Sequence, residues 1–116
     1  MNLTILENAV LKMMIEMQGS HRETIQQQME AAIVGRREST GSGFFTHFLI
    51  PADAQVRRDL PDMEIHSVGA KFSNLEHGAG FLLFIRGGVV SMLEGFSYGE
   101  DWPQKIEEFE LFKIGN

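Results

Sequence analysis

Residues 81–96 of this chain, FLLFIRGGVVSMLEGF, decide the fold. Two runs rich in aliphatic, aromatic and β-branched residues flank the dipeptide Gly87-Gly88. A two-residue turn with positive φ at both positions matches the twist of antiparallel strands, and glycine adopts positive φ without steric cost. The segment therefore predicts a β-hairpin in which Arg86 lies opposite Val89.

An uninterrupted register assigns every side chain of this hairpin to one of two faces, because side chains alternate along a strand. One predicted face carries Phe81, Leu83, Ile85, Val90, Met92 and Glu94, and the other carries Leu82, Phe84, Arg86, Val89, Ser91 and Leu93. Both faces are largely apolar, whereas a sheet face in water is normally polar. We therefore expect both faces to be covered.

Upstream of the hairpin, two helices are predicted. Thr4 with Glu7, and Ser20 with Glu23, have the three-residue spacing of capping boxes at helix starts. Gly19 lies between them and suits the left-handed cap of the first helix. Apolar residues at helical spacing follow the first box, namely Leu6, Val10, Met13 and Met17. These residues predict an apolar stripe that packs on a sheet.

Further extended segments are predicted on both sides of the hairpin. They are residues 33–39, 44–50 and 64–72, with a glycine-rich turn at 40–43, a polar loop at 52–62 and a short helix at 103–108, and the imperfectly alternating residues 109–114 are a candidate additional edge strand. The sequence therefore predicts an α+β fold, with two N-terminal helices packed on a mainly antiparallel sheet of four or five strands. At 116 residues, the whole of 1–116 is expected to form a single domain.

The composition excludes several classes of function. The net charge is −6, from 16 Asp and Glu against 10 Lys and Arg, which disfavours nucleic-acid binding and favours a basic protein partner. There is no cysteine, so no disulfide or thiolate metal site is possible. No signal-peptide pattern is visible and the longest apolar run, 81–85, is too short to span a bilayer, so we expect a cytoplasmic protein without membrane contact.

Two blocks, TGSGFFTHF at residues 40–48 and GAGFLLFIRGGVVSMLEGFSYGEDWP at 78–103, carry a family resemblance. They resemble a family of small bacterial proteins, most of them uncharacterised, that have a TG-x-GFFT block followed by a glycine-phenylalanine strand, a glycine turn and an LEG-x-x-YG-x-x-WP block. The similarity runs from about residue 33 onward. It implies a single bacterial α+β domain and assigns no catalytic residue.

Glu94 is the residue whose chemistry is most open. In the uninterrupted register it shares an apolar face with Phe81 and Met92, where burial disfavours the charged carboxylate. Such a carboxylate is either a structural acceptor for amides of the following turn or an acid–base group with a raised pKa. The four histidines lack metal-binding spacing, and no metal or cofactor is expected.

The stretch LEGFSYGEDWP at residues 93–103 is interpreted first as the corner that ends a strand, and second as a contact surface. Its acidic side chains and those of the segment that follows favour a basic partner. The candidate binding residues are Glu94, Tyr98, Glu100, Asp101, Trp102, Glu107 and Glu108.

The sequence favours a non-enzymatic, acidic bacterial protein that acts by protein–protein binding, in the manner of an immunity protein or antitoxin. The alternative is a small-molecule-binding domain or small enzyme with a pocket around Glu94, His47 and Tyr98. A homodimer is also predicted, because two helices cover only one face of the sheet. Its contact face would hold Leu82, Phe84, Val89 and Leu93, unless the 52–62 loop or the segment after Pro103 covers that face.

Overall fold

The computed structural model of the protein describes residues 2–106 and 108–115. Within these residues two α-helices precede seven strands. The elements are α1 (Ile5–Glu16), α2 (Arg22–Ala31), β1 (Ile33–Ser39), β2 (Gly43–Leu49), β3 (Met63–Ile65), β4 (Val68–Phe72), β5 (Ala79–Arg86), β6 (Val89–Ser97) and β7 (Phe109–Lys113). The predicted α+β fold with N-terminal helices is confirmed, and the sheet has more strands than the four or five expected.

The strands form one antiparallel sheet in the order β1-β2-β6-β5-β4-β7, and β3 also pairs with β5. The single strand predicted at 64–72 is two strands, which accounts for one of the additional elements. Ile65 lies opposite Leu83 and Gly69 lies opposite Gly80. The segment from Ile65 to Gly69 therefore advances four residues while β5 advances three. The additional residue interrupts regular pairing around His66.

Both helices pack on one face of the sheet, which we call the helix face. Thr4 and Glu7 form the predicted capping box of α1: the Glu7 amide donates to Thr4 Oγ1 at 3.1 Å, and the Thr4 amide donates to Glu7 Oε1 at 2.7 Å. The buried apolar residues of the helices and of this face form one core, which includes Val10, Met14, Ile25, Phe81, Leu83, Ile85, Val90 and Leu93. No described helix is long and apolar enough to cross a bilayer.

The hairpin of β5 and β6 has the predicted Gly87-Gly88 turn, with φ angles of +62° and +87°. Its register differs from the prediction. Phe84 pairs with Met92 but Ile85 pairs with Val90, so Ser91 is an additional residue in a β-bulge. Every side chain beyond the bulge changes face, because the period of a strand is two.

The bulge makes three predicted placements wrong, those of Met92, Leu93 and Glu94. Met92 lies opposite Phe84. Leu93 lies on the helix face opposite Leu83, fully buried, and is not available for an outer contact. Glu94 lies opposite Leu82 on the other face of the sheet, and does not share a face with Phe81. That face carries no helix, and we call it the open face.

Two local predictions are also wrong. The residue before α2 is His21, which makes no side-chain capping bond, so the Ser20–Glu23 capping box is not formed. Gly19 does have a left-handed φ of +57°, and it begins a 3₁₀ turn between the helices. Residues 103–106 are not helical. The predicted helix at 103–108 is therefore absent from its described part.

Of the two segments that were the alternative cover for the open face, the one after Pro103 joins the edge of the sheet as β7, and the 52–62 loop packs elsewhere. In the 51–62 loop, the Leu60 amide donates to the Gly88 carbonyl at 3.3 Å. Gln28 of α2 is fully buried; its Nε2 donates to the carbonyls of Arg57 (2.7 Å) and Gly88 (3.1 Å), and its Oε1 accepts from the Val90 amide at 2.8 Å. The loop is therefore held against α2 and the hairpin turn.

Candidate functional site

The open face carries both apolar and charged side chains from neighbouring strands. The register places three rows on it: Glu38, Phe45, Glu94 and Leu82; then Arg36, His47, Met92, Phe84 and Glu64; then Phe96, Gly80, Gly69 and Phe112. The apolar residues of the first two rows are half-buried. Apolar side chains at the margin are more exposed, with Ile33 at 53%, Leu49 at 62% and Tyr98 at 48%. No described helix or loop covers this surface.

Two aromatic rings lie flat on glycines in the third row. A Cβ atom at Gly80 would lie 2.7 Å from Cζ of Phe96, and one at Gly69 would lie 2.6 Å from Cζ of Phe112. Tyr98 stands edge-on to Phe96, with ring centroids 5.6 Å apart. Because glycine has no side chain, these rings pack directly on the backbone. They form the outer surface at this end of the open face.

Glu94 lies in the first row between Phe45 and Leu82. Its carboxylate is half-buried and has no hydrogen-bond or ion-pair partner among the described residues. Burial raises the pKa of Glu94, because a less hydrated site disfavours the charged form. The interpretation that Glu94 accepts amides of the following turn is therefore wrong, since its side chain points to the open face.

Glu100, and not Glu94, is the carboxylate near this corner that accepts hydrogen bonds from backbone amides. Its two carboxylate oxygens accept from the backbone amides of His77 and Glu76, each at 2.9 Å, and these hydrogen bonds lower the pKa of Glu100. Ser97 Oγ donates to the Ser42 carbonyl at 3.0 Å and also to the Glu100 carbonyl. The corner at residues 97–100 is thus fixed to two neighbouring turns, as its first interpretation expected.

His47 and Tyr98 do not join Glu94 in a cavity. His47 pairs with Met92, one row away from Glu94, and its Nε2 lies 2.7 Å from Glu38 Oε1. Tyr98 extends past Phe96 at the far end of the face. None of four concave sites in the structure is lined by any of these three residues.

Trp102, another candidate binding residue, packs among aromatic rings away from the open face. Trp102 packs edge-on against Phe44 and Phe72, with ring centroids 5.4 and 5.6 Å away, and its amide donates to the Gly41 carbonyl at 2.8 Å. Asp101 and Glu108 are exposed. Glu107 lies outside the described residues. The structure therefore places Glu94 and Tyr98 on the open face and Trp102 against Phe44 and Phe72.

A buried ionic cluster was not anticipated from the sequence. Glu7 is 1% exposed, and its carboxylate accepts from the Thr4 amide, from Arg37 Nε at 3.1 Å, from Arg37 Nη2 and from Thr46 Oγ1. Burial raises the pKa of Glu7, but the hydrogen bonds from Arg37, Thr46 and Thr4 together lower it by more than burial raises it. The pKa of Glu7 therefore lies below its usual value. The sequence signal was the position of Glu7 beside Leu6, on the apolar stripe of α1.

Among the described residues, no group of three His, Asp or Glu side chains is placed to hold a metal ion. Comparison of this chain with protein-family models, curated proteins and solved structures gives no match. The chemistry of its own surfaces is therefore the basis on which a function is assigned.

Proposed function

We propose that this protein is a cytoplasmic, non-enzymatic binding protein that pairs with a second copy of itself through the open face of its sheet. The role we infer is that of a small acidic bacterial immunity protein or antitoxin, from the size of the chain, its net charge of −6 and its lack of catalytic sequence signatures. One observation supports the proposal: half-buried apolar side chains, among them Phe45, Leu82, Phe84 and Met92, share this face with Glu94 and His47, and no described helix packs on it. Soluble proteins rarely leave such a surface in water.

The occupant we propose is a second copy of the chain. Six neighbouring strands, spaced about 4.8 Å apart and roughly 20 Å long, present about 600 Å² in plan view. Standard interfaces bury about 800 Å² of accessible surface on each partner, and a rough surface has more accessible area than its plan. A two-fold pairing covers the face of both copies with a single contact.

Sedimentation equilibrium at micromolar concentration tests this pairing. We expect a dimer for the wild-type protein and a monomer for Phe84→Glu, which places a charge in the second row of the face. Ile5→Glu is the matched control, because Ile5 is 81% exposed on α1 and lies off the open face. A wild-type protein that sediments as a monomer would contradict the proposal, as would equal dissociation of both variants.

A basic protein partner is the second proposal, and it concerns the acidic surface near Asp101 and Glu108. Both side chains are exposed, and the chain carries a net charge of −6. Replacing both with Lys should slow association with a partner captured from the native host, and added salt should have the same effect. Glu100 is unsuitable for this test because its carboxylate holds the 76–77 turn. If neither the Lys substitutions nor added salt changes the association rate, Asp101 and Glu108 contact only solvent and the second proposal is wrong.

A further inference from the structure

A cavity of about 450 Å³ opens on the opposite side of the molecule from the open face. It lies between the start of α1, the beginning of β2, residues 102–106 and Phe109, and we call it the Trp102 cavity. Its apolar walls come from Phe44, Trp102, Pro103, Ile106 and Phe109. All five are half-buried, and the rings of Phe44 and Trp102 meet at 67°. Cavities of this size and apolar lining are typical of small-molecule sites.

Arg37 is one of four described polar residues that line the Trp102 cavity, with Thr4, Glu7 and Gln104. Its Nε and Nη2 donate to Glu7, and Nη2 also donates to the Asn2 carbonyl at 2.7 Å. Nη1 has no acceptor among the described residues, and 26% of the Arg37 side chain is exposed. A guanidinium nitrogen carries two N–H donors and cannot accept, so the position that Arg37 leaves vacant in the cavity wall is that of a donor.

The charge balance restricts the ligand further. The Glu7 carboxylate is buried, fully hydrogen-bonded and already pairs with Arg37, so the ion pair has no net charge. A second carboxylate at Arg37 would leave an excess negative charge in a half-buried apolar site, which is costly. An uncharged oxygen acceptor takes the hydrogen bond without that cost.

We propose that the Trp102 cavity binds a small, flat, uncharged aromatic molecule that bears one carbonyl oxygen. The aromatic part lies against Phe44, Trp102 and Ile106, and the oxygen accepts from Arg37 Nη1. This site is independent of the open face and of the binding function proposed for it.

Three probes of nearly equal shape separate the contributions to binding: acetylnaphthalene, ethylnaphthalene and naphthoate. Trp102 is the only tryptophan, so its indole N–H gives a single peak in a ¹H–¹⁵N correlation spectrum of the labelled protein. Titration with acetylnaphthalene should shift this peak and the Arg37 Nε–H peak. Acetylnaphthalene should bind about tenfold more tightly than ethylnaphthalene, because a hydrogen bond from a charged donor is gained, and more tightly than naphthoate.

Two variants locate the site. Ile106→Phe should fill the cavity and abolish the shift of the Trp102 peak, whereas Ile33→Phe, on the margin of the open face, should leave binding unchanged. Arg37→Lys keeps a cation beside Glu7 and removes the fork of donors, so the preference for acetylnaphthalene over ethylnaphthalene should fall to about one. Equal binding of all three probes by the wild-type protein, tighter binding of naphthoate, or shifts confined to open-face amides would overturn the proposal.

Discussion

Replacing Arg37 with Met should destabilise this protein more than any change at a neighbouring arginine. Glu7 is 1% exposed, and Arg37 provides two of the four hydrogen bonds that its carboxylate accepts. Arg37→Met keeps much of the side-chain volume but removes both donors and the counter-charge. The variant must then bury an uncompensated carboxylate or protonate it.

Removing one partner of a buried ion pair typically costs about 3–5 kcal/mol. Because 26% of the Arg37 side chain is exposed, water relieves part of this penalty, and we expect the lower value of about 3 kcal/mol. A domain of this size loses roughly 4 °C of melting temperature per kcal/mol, so Tm should fall by about 10–15 °C. The double variant Glu7→Gln/Arg37→Met should recover most of this loss, because no charge remains to be buried.

Urea unfolding at pH 7 measures the effect, and Arg36→Met is the matched control. Arg36 is adjacent in sequence, but its ion pair with Glu38 is exposed, with side-chain exposures of 70% and 47%. Such pairs contribute about 0–1 kcal/mol. Equal losses for Arg36→Met and Arg37→Met would refute the reasoning, and so would a double variant as unstable as the single one.

Acidification provides a second test of the same cluster. The pKa of Glu7 in the folded protein lies below its unfolded value of about 4.3. The stabilisation by Glu7 is therefore complete above that value and is lost as the pH falls through the lower folded pKa. In Arg37→Met burial dominates and raises the pKa, so the penalty applies at high pH and disappears on acidification. The stability gap between the two proteins should narrow between pH 7 and about pH 4.

Three further outcomes follow from the structure. Glu94→Gln should strengthen self-association at pH 7, and the wild-type dimer should tighten as the pH falls through the raised pKa of Glu94. Sedimentation at several pH values measures both effects. If Glu94→Gln keeps the pH dependence of dimerisation, other groups cause that dependence. Gly88→Ala should destabilise the protein far more than Gly87→Ala in thermal unfolding, because both φ angles are positive but only at Gly88 would a Cβ meet backbone, 1.8 Å from the Arg58 carbonyl oxygen. Gln28→Leu should cost about 2–4 kcal/mol in urea unfolding, since it leaves buried backbone groups unpaired, whereas Gln27→Leu, at an exposed position, should be nearly neutral; equal costs would contradict the assigned role of the buried amide.

Local sequence was sufficient for most secondary structure. The span of β1 was predicted as observed, and the Gly87-Gly88 turn has the positive φ angles that only glycine adopts freely. The capping box at Thr4 is likewise a contact between residues three positions apart. These features depend on neighbours in the chain, so the pattern of residue types specifies them.

The Ser91 bulge could not be predicted from alternation. Apolar residues occupy both faces of the hairpin, so the straight and the bulged registers each give an acceptable pattern. Packing makes the choice, because the bulge buries Leu93 completely against the core opposite Leu83 and sends Glu94 to the open face. The face on which the Glu94 carboxylate lies therefore depends on a one-residue shift in strand register, which only the tertiary structure defines.

The composition by itself determined the acidic surface, the absence of thiol chemistry and the excess of apolar strand residues. The tertiary structure alone decided where each acid acts: Glu7 in a cluster with an arginine thirty positions away, Glu100 on the amides of a distant turn, and Glu94 unpaired on the open face. The reason is physical. A carboxylate is defined by its solvation and its donors, and in this protein those donors come from segments that only folding brings together.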